Sequence, residues 1–428
     1  MDAFVVRGGR PLSGTVRVNG AKNSALKVAA AALLAEGVTV IRNVPAIGDM
    51  RVMVSVLEHL GASVVHDGDA YRIDVPGEVG LSTPVHLARR LRASIVVLGP
   101  LLAREGRVRL AMPGGCNLGS RGIDMHLAGL TQMGAAIDYG PDYVEARAAR
   151  LRGADIELPF ASVGATENLL MAAVTADGTT RIINAAREPE IGDLAGFLTA
   201  MGADIRGVGS SELVIRGVSA LQPTEHAVLP DRIEAGTYAV AAAVTAGEIR
   251  LERVVPAHMR LALEKLSAIG AEVQEGEDSL VVRGDPDRQA VDVVTLPYPG
   301  FPTDLQPQFL VLLSQSAGTS MLTENVYDGR FSIIPELNRL GADIEVEGHH
   351  AIVRGARRLR GAEVHSPDLR AGAALVIAGL VAEGETVVRG AGHVDRGYAD
   401  FAGRLRALGA DVHRAAVSED AGLAAGAA

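Results

Sequence analysis

Six times along the chain, an amphipathic stretch with apolar residues at three-to-four spacing runs into the same short phrase. The phrase is an apolar residue, then Gly-Ala: Leu60-Gly61-Ala62, Met133-Gly134-Ala135, Met201-Gly202-Ala203, Ile269-Gly270-Ala271, Leu340-Gly341-Ala342 and Leu408-Gly409-Ala410. The glycines stand 73, 68, 68, 71 and 68 residues apart. The spacing upstream, as in Met53-Val54-Val56-Leu57-Leu60, predicts a half-buried helix. The Gly predicts its left-handed C-cap, and the next apolar residue the start of a strand. A period of this length over the whole chain predicts six copies of one unit.

Each copy carries more than this helix. Upstream lies an alternating strand, such as Val38-Thr39-Val40-Ile41 or Thr180-Arg181-Ile182-Ile183. Before it comes a second helix, apolar nearly all round and therefore expected inside. These inner helices are read at 24–35, 93–103, 165–176, 235–246, 305–316 and 371–382. After Gly-Ala come two strands in a hairpin. The fold class is therefore α/β, built of repeated βα units with one helix inside and one outside.

The sixth copy ends early. After Ala410-Asp411-Val412 only an Ala/Gly-rich tail remains, and residues 415–428 are expected to fray. The N-terminus carries the opposite surplus. Phe4-Val5-Val6-Arg7-Gly8 resembles the returning strand Leu213-Val214-Ile215-Arg216-Gly217. The first strand is expected to complete the last copy. That gives two domains of three copies each: residues 22–229, and residues 1–21 with 230–428. Two chain crossings, near 21 and 230, imply a cleft and a hinge.

Composition narrows the function. Aromatic residues make up only 3% of the chain, with no Trp, so the core must be aliphatic. The net charge of −10 argues against a nucleic-acid binder, which needs a basic surface. No apolar run approaches the roughly 18 residues of a membrane span, and the first residues lack a signal pattern. A cytoplasmic protein is expected. Of 41 basic residues only Lys22, Lys27 and Lys265 are lysines. In an Arg-biased chain, a retained Lys can mark a place that needs a compact ammonium.

The residues just before the inner helices are polar: Ala21-Lys22-Asn23-Ser24, Arg92-Ala93-Ser94, Ser162-Val163-Gly164, Pro230-Asp231-Arg232, Pro302-Thr303-Asp304 and Asp368-Leu369-Arg370. Part of this is ordinary capping. Lys22, Arg92, Arg232 and Arg370 go further, because a cation opposes the helix dipole at that end. Their recurrence points to an anionic ligand shared by several helix starts. Arg121, Arg330 and Arg396 lie in other loops. The single cysteine, Cys116, sits in the loop 112–122, between Pro113-Gly114-Gly115 and Gly119-Ser120-Arg121. One cysteine forms no internal disulfide and no Cys-based metal site. It is either inert packing or a reactive thiol, and the Gly-rich, Arg-flanked loop favours reactivity.

These residues carry a resemblance. The stretches NGAKNSAL (19–26), LRAS (91–94), PGGCNLGSR (113–121), SVGATEN (162–168), REPEI (187–191), LPDRIEAGT (229–237), FPTD (301–304), DLRAG (368–372) and DRGY (395–398) closely resemble the enolpyruvyl transferases. The resemblance covers residues 1–413 and is strongest to members acting on UDP-N-acetylglucosamine (UDP-GlcNAc) at the committed step of peptidoglycan synthesis. It implies two inside-out α/β domains with the substrate cleft between them. It also implies phosphoenolpyruvate as co-substrate, no metal and no separate cofactor. The 3-hydroxyl of the sugar would add to C2 of phosphoenolpyruvate, and phosphate would then leave.

By the same resemblance, Cys116 is the proton donor and can carry a covalent phosphoenolpyruvate adduct. Asp304 is the candidate base. Lys22, Arg121 and Arg396 match contacts to the phosphate, and Arg330 and Arg370 match contacts to the carboxylate. Asn23, Arg92, Asp304 and Val326 match UDP-sugar positions. So do Arg121, Gly122, Ile123, Asp124 and Met125, and Ser162, Val163 and Gly164. Two positions depart from some relatives: Phe160 stands where they carry Lys, and Gly122 where they carry Pro. Sister enzymes acting on shikimate 3-phosphate share the fold but use no loop cysteine.

Overall fold

All six glycines of the repeated phrase take positive φ, between 93° and 117°. Each following alanine is buried, and its N–H reaches back to a leucine carbonyl five residues earlier. Examples are Ala62 to Leu57 at 3.0 Å and Ala342 to Leu337 at 3.1 Å. These are Schellman caps, in which the Gly supplies the left-handed residue and the Ala closes the longer hydrogen bond. The computed structural model describes residues 2–111 and 122–416, with Arg92 and Ala93 described by backbone only.

Six sheets follow from the six copies. In the third copy, Thr179–Ile183 pairs in parallel with Asp155–Glu157 and antiparallel with Glu212–Arg216, which then takes Asp204–Arg206 on its far side. In the sixth, Glu385–Arg389 pairs in parallel with Glu363–His365 and antiparallel with Asp2–Arg7. Asp411–Ala416 lies on the far side of Asp2–Arg7. The N-terminal strand thus fills the place that a returning strand fills elsewhere. The last strand runs to Ala416, two residues into the segment expected to fray. Its pairing with Asp2 and Ala3 supplies backbone partners the tail sequence alone does not reveal. The rest of that segment lies outside the described residues.

Neighbouring copies share strands, and this is where the chain crosses over. Glu225–Ala227 returns to pair with Gly37–Arg42 of the first copy, while Ser13–Arg17 pairs with Glu248–Glu252 of the fourth. The two crossings run side by side. The Ala21 N–H donates to the Leu229 carbonyl at 2.7 Å, and the Asp231 N–H to the Asn19 carbonyl at 2.8 Å. The buried apolar residues form two separate clusters on either side of this ribbon, one within residues 21–228 and one within residues 4–18 and 233–412.

The inner helices are Lys22–Ala31, Leu98–Glu105, Val163–Ala173, Arg232–Val244, Gln306–Ser314 and Leu369–Val381. Every residue of Leu369–Val381 except the last is buried. This is why their hydrophobicity runs all round rather than along a stripe. Two of the helices begin later than the sequence pattern suggests. Arg92–Val97 and Thr303–Leu305 are 3₁₀ turns. Pro100 and Pro307 each sit just inside the α segment and lack the N–H that would bond four residues back, so the preceding turn tightens. No helix among the described residues is long and apolar enough to cross a membrane.

Candidate active site

The starts of four inner helices, and the 3₁₀ turns that lead into the other two, face one cavity of about 570 Å³ between the two clusters. Its walls include Lys22, Asn23, Leu91, Ile95, Ser162, Val163, Gly164, Arg232, Thr303, Asp304, Asp368 and Arg370. Three helices are capped as their sequences predict, one of them by Ser162, whose hydroxyl accepts from the Ala165 N–H at 3.3 Å. The Asp231 carboxylate accepts from the Ile233 and Glu234 N–H groups at 2.8 and 3.0 Å. Asp368 accepts from Arg370 and Ala371 at 2.7 and 3.1 Å. Asp231 also takes the Lys22 N–H at 3.0 Å, so one carboxylate serves helix starts on both sides of the ribbon.

The cations group into two sets, each gathered by a carboxylate. In the first, Asp49 accepts from Lys22 Nζ at 3.0 Å and from Arg396 Nε at 2.8 Å. Asp49 is 2% exposed. Burial works to raise its carboxyl, but the Lys22 ammonium and Arg396 guanidinium outweigh burial and hold it below its ordinary value. Arg396 is brought there by backbone contacts: the Gly48 N–H donates to the Asp395 carbonyl at 2.7 Å.

In the second set, Arg330 Nη2 donates to Asp304 Oδ1 at 2.7 Å and Arg370 Nη2 to Oδ2 at 3.2 Å. Both arginines are 3% exposed. Arg370 lies over the Tyr398 ring, 5.3 Å from its centre. Burial disfavours its charge, yet Tyr398, Asp304 and Asp231 hold its proton above the usual range. Arg330 is steadied by Thr303 Oγ1, which donates to Glu324 at 3.0 Å. The same Glu324 accepts from the Val326 and Tyr327 N–H groups at 2.9 Å, which sets Val326 on the cavity wall.

Gly122, Ile123, Asp124 and Met125 line the cavity at the start of the helix Asp124–Gln132. Phe160 stands on the wall, 37% exposed, where a Lys would have offered charge. Cys116 and Arg121 lie outside the described residues. Of Arg92, the structure places the backbone at the start of a 3₁₀ turn.

Lys22, Arg232 and Arg370, expected to await an anion at the helix starts, hold protein carboxylates here. Arg232 is an example: its guanidinium pairs with Glu190 at 3.0 Å across the cleft and lies 5.6 Å from the Tyr298 ring centre. Sequence reasoning passed over Asp49, Glu167, Glu188 and Glu190, all on the cavity wall. A signal for Asp49 existed: Ile-Gly-Asp recurs at 47–49 and 191–193, the same place in two copies. Asp193 bonds the hydroxyl of Ser24 and, at 2.9 Å, His226 Nε2. Glu167, Glu188 and Glu190 lie inside the motifs SVGATEN and REPEI.

Chemically, the cavity offers two clusters of buried or half-buried cations and two carboxylates able to exchange their partners for an anionic ligand. A small molecule with two anionic ends fits that arrangement.

Comparison with known proteins agrees with the fold and the chemistry. The sequence pattern of the EPSP synthase (3-phosphoshikimate 1-carboxyvinyltransferase) family matches residues 6–405. A Mycobacterium bovis protein named UDP-N-acetylglucosamine 1-carboxyvinyltransferase is 52% identical over 413 residues, 96% of this chain and 99% of the relative. A Caldanaerobacter subterraneus protein named UDP-N-acetylglucosamine 1-carboxyvinyltransferase 1 is 48% identical over 411 residues, again 96% and 99%. Among solved structures, the enolpyruvyl transferase NikO from Streptomyces tendae matches with TM-score 0.89 at 26% identity, covering 97% of this chain and 99% of that one. EPSP synthase from Acinetobacter baumannii shares the fold, with TM-score 0.77 at 19% identity over 97% of this chain and 100% of that one. The chain belongs to the EPSP synthase family of enolpyruvyl transferases.

Proposed function

We propose that this chain transfers the enolpyruvyl group of phosphoenolpyruvate to the 3-hydroxyl of UDP-GlcNAc, releasing phosphate, at the entry to peptidoglycan synthesis. The observation that carries this reading is the pair of cation clusters in one cavity, Lys22 with Arg396 and Arg330 with Arg370. They suit the two anionic ends of phosphoenolpyruvate, phosphate and carboxylate. The choice of acceptor is supported by relatives of 48–52% identity that carry the UDP-GlcNAc name. The two domains in this reading are residues 22–229, and residues 1–21 with 230–428.

The chemistry runs as follows. Addition forms the bond from the sugar oxygen to C2, while C3 takes a proton and the hydroxyl loses one. Cys116 delivers the first proton and can instead bond C2 as a covalent adduct. Asp304 takes the second. Its two oxygens hold Arg330 and Arg370, so it becomes available as those guanidiniums turn to the substrate carboxylate. Substrate binding thereby switches on the base, and the binding energy of the carboxylate serves the chemical step. In elimination the C2–O bond to phosphate breaks and phosphate departs toward Lys22, Arg396 and Arg121, while C3 gives a proton to Asp304, which has by then shed its first one, and the C2–C3 double bond re-forms. Asn23, Arg92, Ser162, Val163, Gly164, Val326 and residues 121–125 hold the sugar nucleotide. No further cofactor takes part.

The test is phosphate release from phosphoenolpyruvate with UDP-GlcNAc, run beside shikimate 3-phosphate and a Cys116→Ala control. Release with UDP-GlcNAc alone, lost in the control, is expected. Release only with shikimate 3-phosphate would move the chain to the sister activity.

A further inference from the structure

Two of the three lysines in this chain lie on one helix, Lys22–Ala31, five residues apart. The function above uses Lys22 and leaves Lys27 without a role. Lys27 is 9% exposed and lines the same cavity. Its Nζ donates to the Asn23 carbonyl at 2.8 Å, bridging the first turn of its own helix. On the other side stands Glu167, with Oε1 at 3.2 Å from Nζ. Glu167 is 1% exposed, and neither carboxylate oxygen makes an aligned hydrogen bond. A buried carboxylate in that condition is costly and needs a reason.

The surroundings supply one. Glu167 lies near the start of the helix Val163–Ala173, and Glu188 and Glu190 face it from the start of the helix Pro189–Ala200. Arg232 pairs with Glu190 from across the cleft. Around Glu167, then, three carboxylates face two cations, Lys27 and Arg232. Burial, opposed by Lys27 and assisted by Glu190 and Glu188, pushes the Glu167 carboxyl up to about 7.

We propose that Lys27 and Glu167 form a positioning pair for the acceptor. Glu167 holds the Lys27 ammonium against the Asn23 carbonyl, which fixes the first helical turn and sets Asn23 against the sugar nucleotide. This rests on the acceptor assignment made above. A guanidinium fork is too broad and too rigid to repeat the arrangement, which accounts for a lysine in an arginine-rich chain. The hold is full when Glu167 is ionised and slackens as it takes up a proton, so acceptor binding weakens as pH falls through the neutral range.

The experiment compares wild type, Glu167→Gln and Lys27→Arg in steady-state phosphate release, varying UDP-GlcNAc and phosphoenolpyruvate separately across pH. The expected result for Glu167→Gln is a KM for UDP-GlcNAc raised about tenfold, with kcat changed less than about threefold. The acid-side loss of acceptor kcat/KM seen in wild type should disappear. Lys27→Arg should raise the same KM. Hydrogen exchange of the amides of residues 22–27 is followed in parallel, and should speed up in both variants. An acceptor KM within about twofold of wild type in a folded Glu167→Gln, or an unchanged acid limb, overturns the proposal. Should Glu167→Gln fail to fold, Lys27→Arg with a wild-type KM overturns it. If wild type releases no phosphate with UDP-GlcNAc, the acceptor assignment fails instead. Hydrogen exchange then decides the pair: faster exchange of that turn in the variants upholds it, and unchanged exchange removes it.

Discussion

Asp49→Asn is the most informative single change. Asp49 is buried between Lys22, at 3.0 Å, and Arg396, at 2.8 Å, and these come from opposite sides of the crossover ribbon. Asn keeps the shape and loses the charge, leaving the buried Lys22 and the half-buried Arg396 without a neutralising carboxylate between them. Removing one member of a buried ion pair costs about 3–5 kcal/mol, and the lower end applies because the amide oxygen still accepts one hydrogen bond. For domains of this size each kcal/mol lowers Tm by roughly 2–4 °C, so 3 kcal/mol corresponds to a drop of about 6–12 °C. Because the Asp49 carboxyl is held below its ordinary value, its contribution is fully present at neutral pH and is lost only as pH falls through that lowered value. The assay is therefore thermal unfolding near neutral pH, with and without phosphoenolpyruvate. An anionic ligand should restore part of the missing charge, so it should raise the Tm of the variant more than that of wild type. The loss of activity should lie in kcat, about tenfold or more, with no rise in the KM for phosphoenolpyruvate. A Tm within about 2 °C of wild type would refute the argument that Asp49 neutralises these cations. Equal ligand stabilisation of both proteins would refute the claim that the same cations receive substrate.

Three other outcomes are expected. Glu167 and Glu234 are both raised by burial to about 7, so each contributes stability below its ordinary value that is lost as pH rises to about 7, up to about 3 kcal/mol apiece. Urea midpoints should accordingly fall between about pH 5 and about pH 8, and Glu234→Gln should flatten the slope, whereas an unchanged slope counts against a raised Glu234. Gly20→Ala places a Cβ 1.7 Å from the Asn43 carbonyl oxygen, beside the bridge from Gly20 to Pro230. The backbone must move at the crossover ribbon, and the loss should exceed about 2 kcal/mol in chemical unfolding. Small epoxides shaped like phosphoenolpyruvate should inactivate the enzyme by alkylating Cys116, and peptide mass spectrometry that finds the label elsewhere would remove Cys116 from the mechanism.

Much of the architecture was legible because it is written in local periodicity. The Gly-Ala phrase specifies a helix end by backbone chemistry, and all six glycines take the left-handed conformation. All-round hydrophobicity marked the inner helices, since it reports burial directly. The surplus strand at the N-terminus and the shortfall at the C-terminus pointed to each other, and Asp2–Arg7 does lie between Glu385–Arg389 and Asp411–Ala416. The cations were legible too, because a basic residue at a helix start contradicts the dipole and so draws attention.

Which carboxylate each cation meets was decided by tertiary structure alone. Asp49 and Arg396 are 347 positions apart, and Asp304 and Arg370 are 66 apart. Periodicity tells how a residue faces its own element; it carries no record of what packs opposite. The charge state of Glu167 has the same origin. In the sequence it is one acidic residue just past the first turn of a helix, with nothing to set it apart. Only when Lys27, Glu188 and Glu190 are folded around it, with water excluded, does its proton affinity move into the neutral range.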